Sequence, residues 1–180
     1  MFGSIYRKIS KSFYGTGAAK IPLVKNVHSI IVGHTAPEFV TVFGYKMFLD
    51  QYDEAGHSVI LDSENEEMKI LKKLIGMGDT VIDVGANIGF YTLLFRSIVG
   101  KTGNVISFEP EPKNFALLKK TITANKFENV DIYQKAVGSK NSKIKIKLSD
   151  KIGSHQISNT GDIEIDCIRL DDYVNSANFV

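Results

Sequence analysis

Asp83, Gly85, Gly89 and Glu109 are the residues whose types and spacing fit a binding chemistry. Asp83 is the one acid in an apolar, β-branched run from Val81 to Val84. It stands two residues before the turn Gly85-Ala86-Asn87-Ile88-Gly89, which opens a helical pattern. A strand that ends in a glycine turn before a helix lets backbone N–H groups approach a ligand, and the helix N-terminus favours the ligand's anionic part. The turn lacks the G-x-G-x-x-G spacing of the dinucleotide fingerprint, so a smaller adenosyl ligand fits better than a pyrophosphate. Glu109 closes the next apolar run, 20 residues after Gly89. An acid at about that distance in a β-α-β unit lies beside the turn and can accept hydrogen bonds from both ribose hydroxyls. The alternative for Glu109 is a cap on the helix that follows Pro110 and Pro112. Asp83 suits a cationic group of the ligand, directly or through water, or else holds the backbone of the glycine loop. Asn87 tolerates left-handed geometry and can simply shape the turn.

Strand and helix patterns must alternate to bring these residues together, and they do. Strands are expected at Val81 to Val84, Val105 to Phe108 and Val130 to Lys135, with helices at Ile88 to Val99 and Lys113 to Ala124 between them. Such alternation argues for a parallel sheet with right-handed crossovers. Upstream, Ser63 can cap a helix whose first turn carries Glu64, Glu66 and Glu67 and whose apolar face is Met68, Leu71, Leu74 and Ile75. Residues 38–62 hold two β-rich runs around Gly44 and a third short apolar run from Ser58 to Asp62, punctuated by Gly56, which suggest a small antiparallel cap. After Val137 the style changes. Lys143 to Leu148 and Ile163 to Ile168 alternate apolar and charged residues, as half-exposed antiparallel strands do, around a polar loop from Gly153 to Gly161. Three parallel strands leave the Val81 strand at a sheet edge, although its pattern looks buried on both faces. The chain is therefore read as a fragment, the alternative being that the N-terminal hairpin or a second copy covers that edge.

The composition bounds the function. The chain has 180 residues, 43% hydrophobic and 23% charged, enough for one sizeable core. A net charge of +2 is too small to argue for nucleic acid. Lysines from Lys113 to Lys151 and acids from Asp162 to Asp172 crowd separate stretches, which fits solvated faces better than an anionic-substrate surface. Cys167 is the single cysteine and reads as a small core residue beside Ile165 and Ile168. No run approaches the roughly 20 apolar residues that span a bilayer, no signal-peptide core is present, and a cytoplasmic protein is expected. Phe2, Ile5, Tyr6, Ile9 and Phe13 recur at helical spacing among Arg7, Lys8 and Lys11, so residues 2–13 form a docked helix or make a weak membrane-surface contact.

The stretches VIDVGANIGFYT, GNVISFEPEPKNFALLKKTITAN, NVDIYQKAVG and IEIDCIRLDDYV resemble the FkbM-type methyltransferases, a branch of the class I S-adenosylmethionine enzymes. The resemblance runs from about Gly78 to Tyr173 and more weakly back to Glu38. It implies an α/β, Rossmann-like class I methyltransferase sheet with an N-terminal antiparallel cap and a β-hairpin after the third core strand. Residues 1–62 would be the N-terminal helix and cap. Residues 63–180 would be an S-adenosylmethionine-binding domain, incomplete at its C-terminus because the family continues into a fourth strand. By position the resemblance assigns Asp83, Gly85, Ala86, Asn87 and Gly89 to the methionine part of S-adenosyl-L-methionine. It assigns Glu109, with Phe108 and Pro110, to the ribose, and Ala136, Val137 and Gly138 to the neighbourhood of the adenine. Ser139 stands where many members carry an acid, so a side-chain contact to the adenine amine is not expected.

The reaction implied is methyl transfer to an oxygen of a sugar, glycan or other small metabolite, run mainly by alignment and exclusion of water. A hydroxyl acceptor would benefit from a base, and His155 is the one candidate, with no catalytic residue assigned. His28, His34 and His57 show no ligand spacing with one another or with Cys167, and no metal is expected. The competing readings are a noncatalytic cofactor-binding or scaffold protein and, less well matched, an NAD(P)-dependent dehydrogenase.

Overall fold

The computed structural model describes residues 37–50, 66–147, 156–157 and 161–176. The expected helix at 2–13, the run at 58–62, Ser63 and all four histidines lie outside them. The chain separates into two compact units, residues 1–40 with 49–63 and residues 41–48 with 64–180. In the first, the Leu49 N–H donates to the Glu38 carbonyl over 3.1 Å. The expected cap is seen in strands β1 (Phe39–Val42) and β2 (Tyr45–Phe48), which form a two-stranded sheet. They are joined by Phe43-Gly44, both with positive φ, as tight hairpin turns require.

The second unit carries the parallel sheet. Helix α1 (Glu66–Leu74) leads into β3 (Thr80–Val84), α2 (Phe90–Val99), β4 (Asn104–Phe108), α3 (Pro112–Asn125) and β5 (Val130–Tyr133). The strands lie in the order β3-β4-β5, all parallel, with Asp83 opposite Ser107 and Phe108 opposite Tyr133. β-branched runs make these strands, and their alternate side chains feed one core. Ala86, Phe95, Val99, Val105, Leu118, Ile122 and Val130 pack together, with Leu71 and Ile75 of the α1 segment laid against them. The hairpin residues of this unit dock on α3 through side chains that imitate a neighbouring strand. Asn125 accepts from the Lys46 N–H at 3.0 Å and donates to the Lys46 carbonyl at 2.6 Å, while Thr121 Oγ1 accepts from the Phe48 N–H at 3.0 Å. Those bonds occupy polar groups that an edge strand otherwise leaves open.

One expected strand is corrected. The run from Val130 to Lys135 stops at Tyr133, and the chain re-enters a second sheet as β6 (Ala136–Gly138). That sheet has the order β6-β9-β7-β8, from β7 (Ser142–Lys147), β8 (Gln156–Ile157) and β9 (Ile163–Arg169). β7 and β9 are antiparallel, as their alternation predicts, while β6 joins β9 in parallel. The Gly153–Gly161 stretch, expected as loop only, contributes β8, antiparallel to β7. Ala136, Ile146, Ile165 and Cys167 form this sheet's core, so the cysteine is the packing residue expected. Helix α4 (Leu170–Ser176) follows β9 directly.

Among the described residues β3 lies at the edge of the parallel sheet, as the count of three parallel strands implies. It is not covered on both faces, since Val81 and Ile82 are half-buried and Val84 is exposed.

Candidate functional site

The glycine turn is built by backbone bonds to the end of β4. Gly85 and Ala86 both donate to the Phe108 carbonyl, at 2.9 and 3.0 Å, and the Gly89 N–H closes on the Ala86 carbonyl at 2.9 Å. Gly85, Asn87 and Gly89 all have positive φ, of 82°, 52° and 104°. The left-handed region suits glycine and is tolerated by asparagine. The two glycines serve different needs. A Cβ on Gly89 would stand 2.8 Å from Leu118 Cδ1 of α3, whereas a Cβ on Gly85 would meet nothing within 4 Å. Gly89 lets helix approach helix, and Gly85 keeps open space above the turn. Gly89 is also the N-cap of α2, which therefore has no side-chain cap, and the helix carries no acid in its first turn. Its leading N–H groups lack the usual side-chain acceptor.

Glu109 comes back to this turn. Its Oε2 accepts from the Asn87 N–H at 2.8 Å and its Oε1 from the Glu111 N–H at 2.9 Å. A carboxylate offers about four acceptor positions, and the Asn114 side chain also bonds to this carboxyl, so room for one further donor remains. The capping role weighed for Glu109 belongs to Glu111, which accepts from the N–H groups of Lys113 at 3.0 Å and Asn114 at 2.6 Å. Burial holds the Glu109 carboxyl above its ordinary range, opposed by the two backbone N–H bonds, with the nearby charge of Glu111 raising it further. Asn87 Oδ1 is buried in the turn without a hydrogen-bond partner. Such a group costs free energy until a donor reaches it.

Asp83 is buried beneath the turn on the helix side of β3. It does not hold the loop backbone. Thr92 Oγ1 of α2 donates to Asp83 Oδ2 at 2.6 Å and lies 3.1 Å from Ser107 Oγ of β4. Burial raises the Asp83 pKa, the Thr92 bond offsets part of this, and the charge of Glu109 adds to it. Thr92 and Ser107 were not predicted as site residues, although Thr92 falls one turn into the helix that the glycine motif opens. Because the native state binds the Asp83 proton more tightly than the unfolded chain, this residue's stabilising contribution is complete below its ordinary pKa. It is lost as pH rises through the raised value. The chain is therefore expected to gain stability relative to Asp83→Asn as pH is lowered from about 7 towards 4. Thermal unfolding of both proteins across that range checks this, and parallel curves would refute it.

Pro110 connects Glu109 to the Glu111 cap. Ala136 and Val137 lie outside this hydrogen-bonded group, Ala136 in the core of the second sheet and Val137 half-buried on the same strand. Beside the end of β4 stands an aromatic trio that sequence reasoning did not assemble. Phe108 stacks on Tyr133 at 5.3 Å between centroids, and Tyr173 of α4 meets both edge-on, at 5.3 and 5.4 Å. Tyr173 Oη donates to Tyr133 Oη at 3.1 Å. Burial, then that bond, pushes the Tyr173 hydroxyl far above its ordinary pKa.

Among solved structures, a candidate rRNA-methylase from Clostridium thermocellum aligns at 26% identity with a TM-score of 0.39, covering 42% of this chain and 45% of that one. The P. horikoshii TYW2, in complex with MeSAdo, aligns at 25% identity with a TM-score of 0.41, over 54% of this chain and 35% of its own. A SAM dependent methyltransferase from Aquifex aeolicus aligns at 25% identity with a TM-score of 0.37, over 42% and 40%. The chain thus spans less than half the length of these structures. No curated protein sequence matches it. The sequence model of the methyltransferase FkbM domain matches residues 83–179. That match begins at the carboxylate beneath the turn, takes in Glu109 and the aromatic trio, and covers more than half of the chain, which therefore belongs to the FkbM methyltransferase family.

Proposed function

We propose that the chain binds S-adenosyl-L-methionine at the glycine turn and serves methyl transfer to an oxygen of a sugar, glycan or other small metabolite. The observation that carries this reading is the bond between Glu109 and the Asn87 N–H, which seats the acid of β4 against a turn formed 22 residues earlier. The residues fit such a ligand in three respects. Glu109 keeps acceptor capacity for a ribose hydroxyl. Asn87 Oδ1 is a buried acceptor in want of a donor, and Gly85 leaves room for close approach. Gly85, Ala86, Asn87 and Gly89 would hold the methionine part, with Asp83 favouring its ammonium group through charge. Glu109 and Pro110 would hold the ribose, and Ala136 and Val137 would border the adenine.

When bound, the cofactor supplies an electrophilic methyl group. The chain's own part is to fix the donor's orientation through Glu109 and the turn, and to keep water away with the packed end of β4. An acceptor hydroxyl would give its proton to a base, for which His155 remains the candidate. A cytoplasmic setting belongs to the same proposal. Among the described residues no helix is long and apolar enough to cross a membrane.

Isothermal titration calorimetry with S-adenosylhomocysteine and with NAD tests the reading. Binding of the first and none of the second is expected. Binding of NAD alone would overturn it, and binding without methyl transfer to any of a panel of sugars would favour the noncatalytic cofactor-binding alternative.

A further inference from the structure

The two-residue turn that joins β1 to β2 is Phe43-Gly44, with φ of 51° and 83°. Turns of this kind favour asparagine or aspartate before the glycine, because a left-handed backbone is costly for a bulky side chain. Phenylalanine stands there against that preference, and such a conformation persists only where the surroundings over-determine it. The ring of Phe43 lies 5.3 Å from that of Phe90, centroid to centroid, tilted by 56°. Asn125 and Thr121 fasten the strand that follows the turn to α3, so the ring is presented to Phe90 from a fixed base.

Phe90 is the first residue of α2 and directly follows Gly89 of the glycine turn. The start of α2 has little of its own to keep it wound. Its N-cap is a glycine with no side-chain bond, and no acid stands in the first turn. Helix ends whose leading groups lack such partners are less stable for it. The first bond of the helix runs from the Leu93 N–H to the Gly89 carbonyl, at 3.0 Å. Two tertiary contacts take the place of local capping. Phe43 packs on Phe90, and Glu67 of α1 accepts from the Tyr91 hydroxyl at 2.8 Å.

We infer that Phe43 is a positioning residue: its ring keeps the first turn of α2 wound, and with it the N–H groups that leave the glycine turn aimed at the ligand. The inference rests on the reading that S-adenosyl-L-methionine binds at that turn. Phe43 acts through Phe90 and not by contact with the ligand. A site already held in its binding geometry loses less freedom when it closes on a ligand, so a contact outside the site raises affinity. The strain of the left-handed phenylalanine is stored in the hairpin, and the glycine turn gains the order.

Amide exchange read residue by residue, thermal unfolding, and calorimetry with S-adenosylhomocysteine test this on the 180-residue chain. Phe43→Asn removes the ring and suits the left-handed backbone. It should unfold at or above the native temperature and leave the Phe48 amide, bonded to Thr121, as protected as before. The Leu93 amide should exchange faster and the ligand bind more weakly, each by about threefold to tenfold, the worth of one aromatic pair. Phe43→Tyr keeps the ring and should leave both at native values. Phe90→Leu, which does not alter the hairpin, should repeat the two losses. Native Leu93 exchange in Phe43→Asn would overturn the inference, and so would fast Leu93 exchange with native affinity. Loss of Phe48 protection would overturn it too, since the ring would then be holding the hairpin and not the helix. If the native chain binds no S-adenosylhomocysteine, the cofactor reading falls, and the Leu93 amide alone decides whether Phe43 holds α2.

Discussion

Gly89→Ala is expected to lower the stability of the chain by about 2–5 kcal/mol, while Gly85→Ala costs only about 1–2 kcal/mol and instead weakens ligand binding. Both residues have positive φ, so both variants carry the strain of an L side chain in that region. They differ in what the new methyl meets. At position 89 it would stand 2.8 Å from Leu118 Cδ1, in a core where Leu118 is fully buried and Thr92 and Thr121 close the other sides. Overpacking of this kind adds about 1–3 kcal/mol to the strain, because α3 must move away from α2. At position 85 the methyl enters open space and touches nothing of the protein. If that space is where the cofactor lies, Gly85→Ala should weaken S-adenosylhomocysteine binding about tenfold or more, equivalent to about 1.4 kcal/mol or more. Thermal unfolding and calorimetry on both variants separate the outcomes. Equal stability losses would refute the packing argument, and wild-type affinity in Gly85→Ala would place the ligand elsewhere.

This division of labour also shows what was legible in the sequence. The turn and Glu109 could be read because a β-α-β unit is short and its geometry nearly fixed, so a glycine spacing and an acid 20 residues on locate each other. The pairing of β7 and β9 was equally readable, since Lys alternates with Ile along β7 and acids alternate with apolar residues along β9. The break between Tyr133 and Ala136 was not. The run from Val130 onward is uniformly strand-like, and nothing local says that its last residues leave one sheet for another. The roles of Glu109 and Glu111 were also hidden. Two acids one proline apart look interchangeable, and only the fold decides which caps α3 and which reaches Asn87. Thr92, Ser107 and Asp83 likewise come from three elements whose contact depends on the register that sets Asp83 opposite Ser107.

Glu109→Gln is the substitution expected to do most harm to binding. The glutamate oxygens each take one backbone N–H, from Asn87 and from Glu111. Glutamine has one carbonyl oxygen and one amide nitrogen, so whichever N–H faces the nitrogen loses its acceptor. A buried donor left unpaired costs about 1–3 kcal/mol, and if the Asn87 N–H is the one abandoned, the turn itself loosens. Removing the charge also weakens the bond to a ribose hydroxyl, since bonds to charged groups contribute about 1.5–3 kcal/mol against about 1 for neutral pairs. A loss of about 10–100-fold in S-adenosylhomocysteine affinity follows from a difference of about 1.4–2.8 kcal/mol. Because burial already raises the Glu109 pKa, eliminating its charge recovers part of the cost of keeping a carboxylate inside. The stability loss at neutral pH should therefore be smaller than the loss in binding. Calorimetry and thermal unfolding on the same preparation compare the two. A variant that unfolds well below the native chain yet binds the ligand with native affinity would show that Glu109 holds only the loop, and the ribose assignment would fall with it.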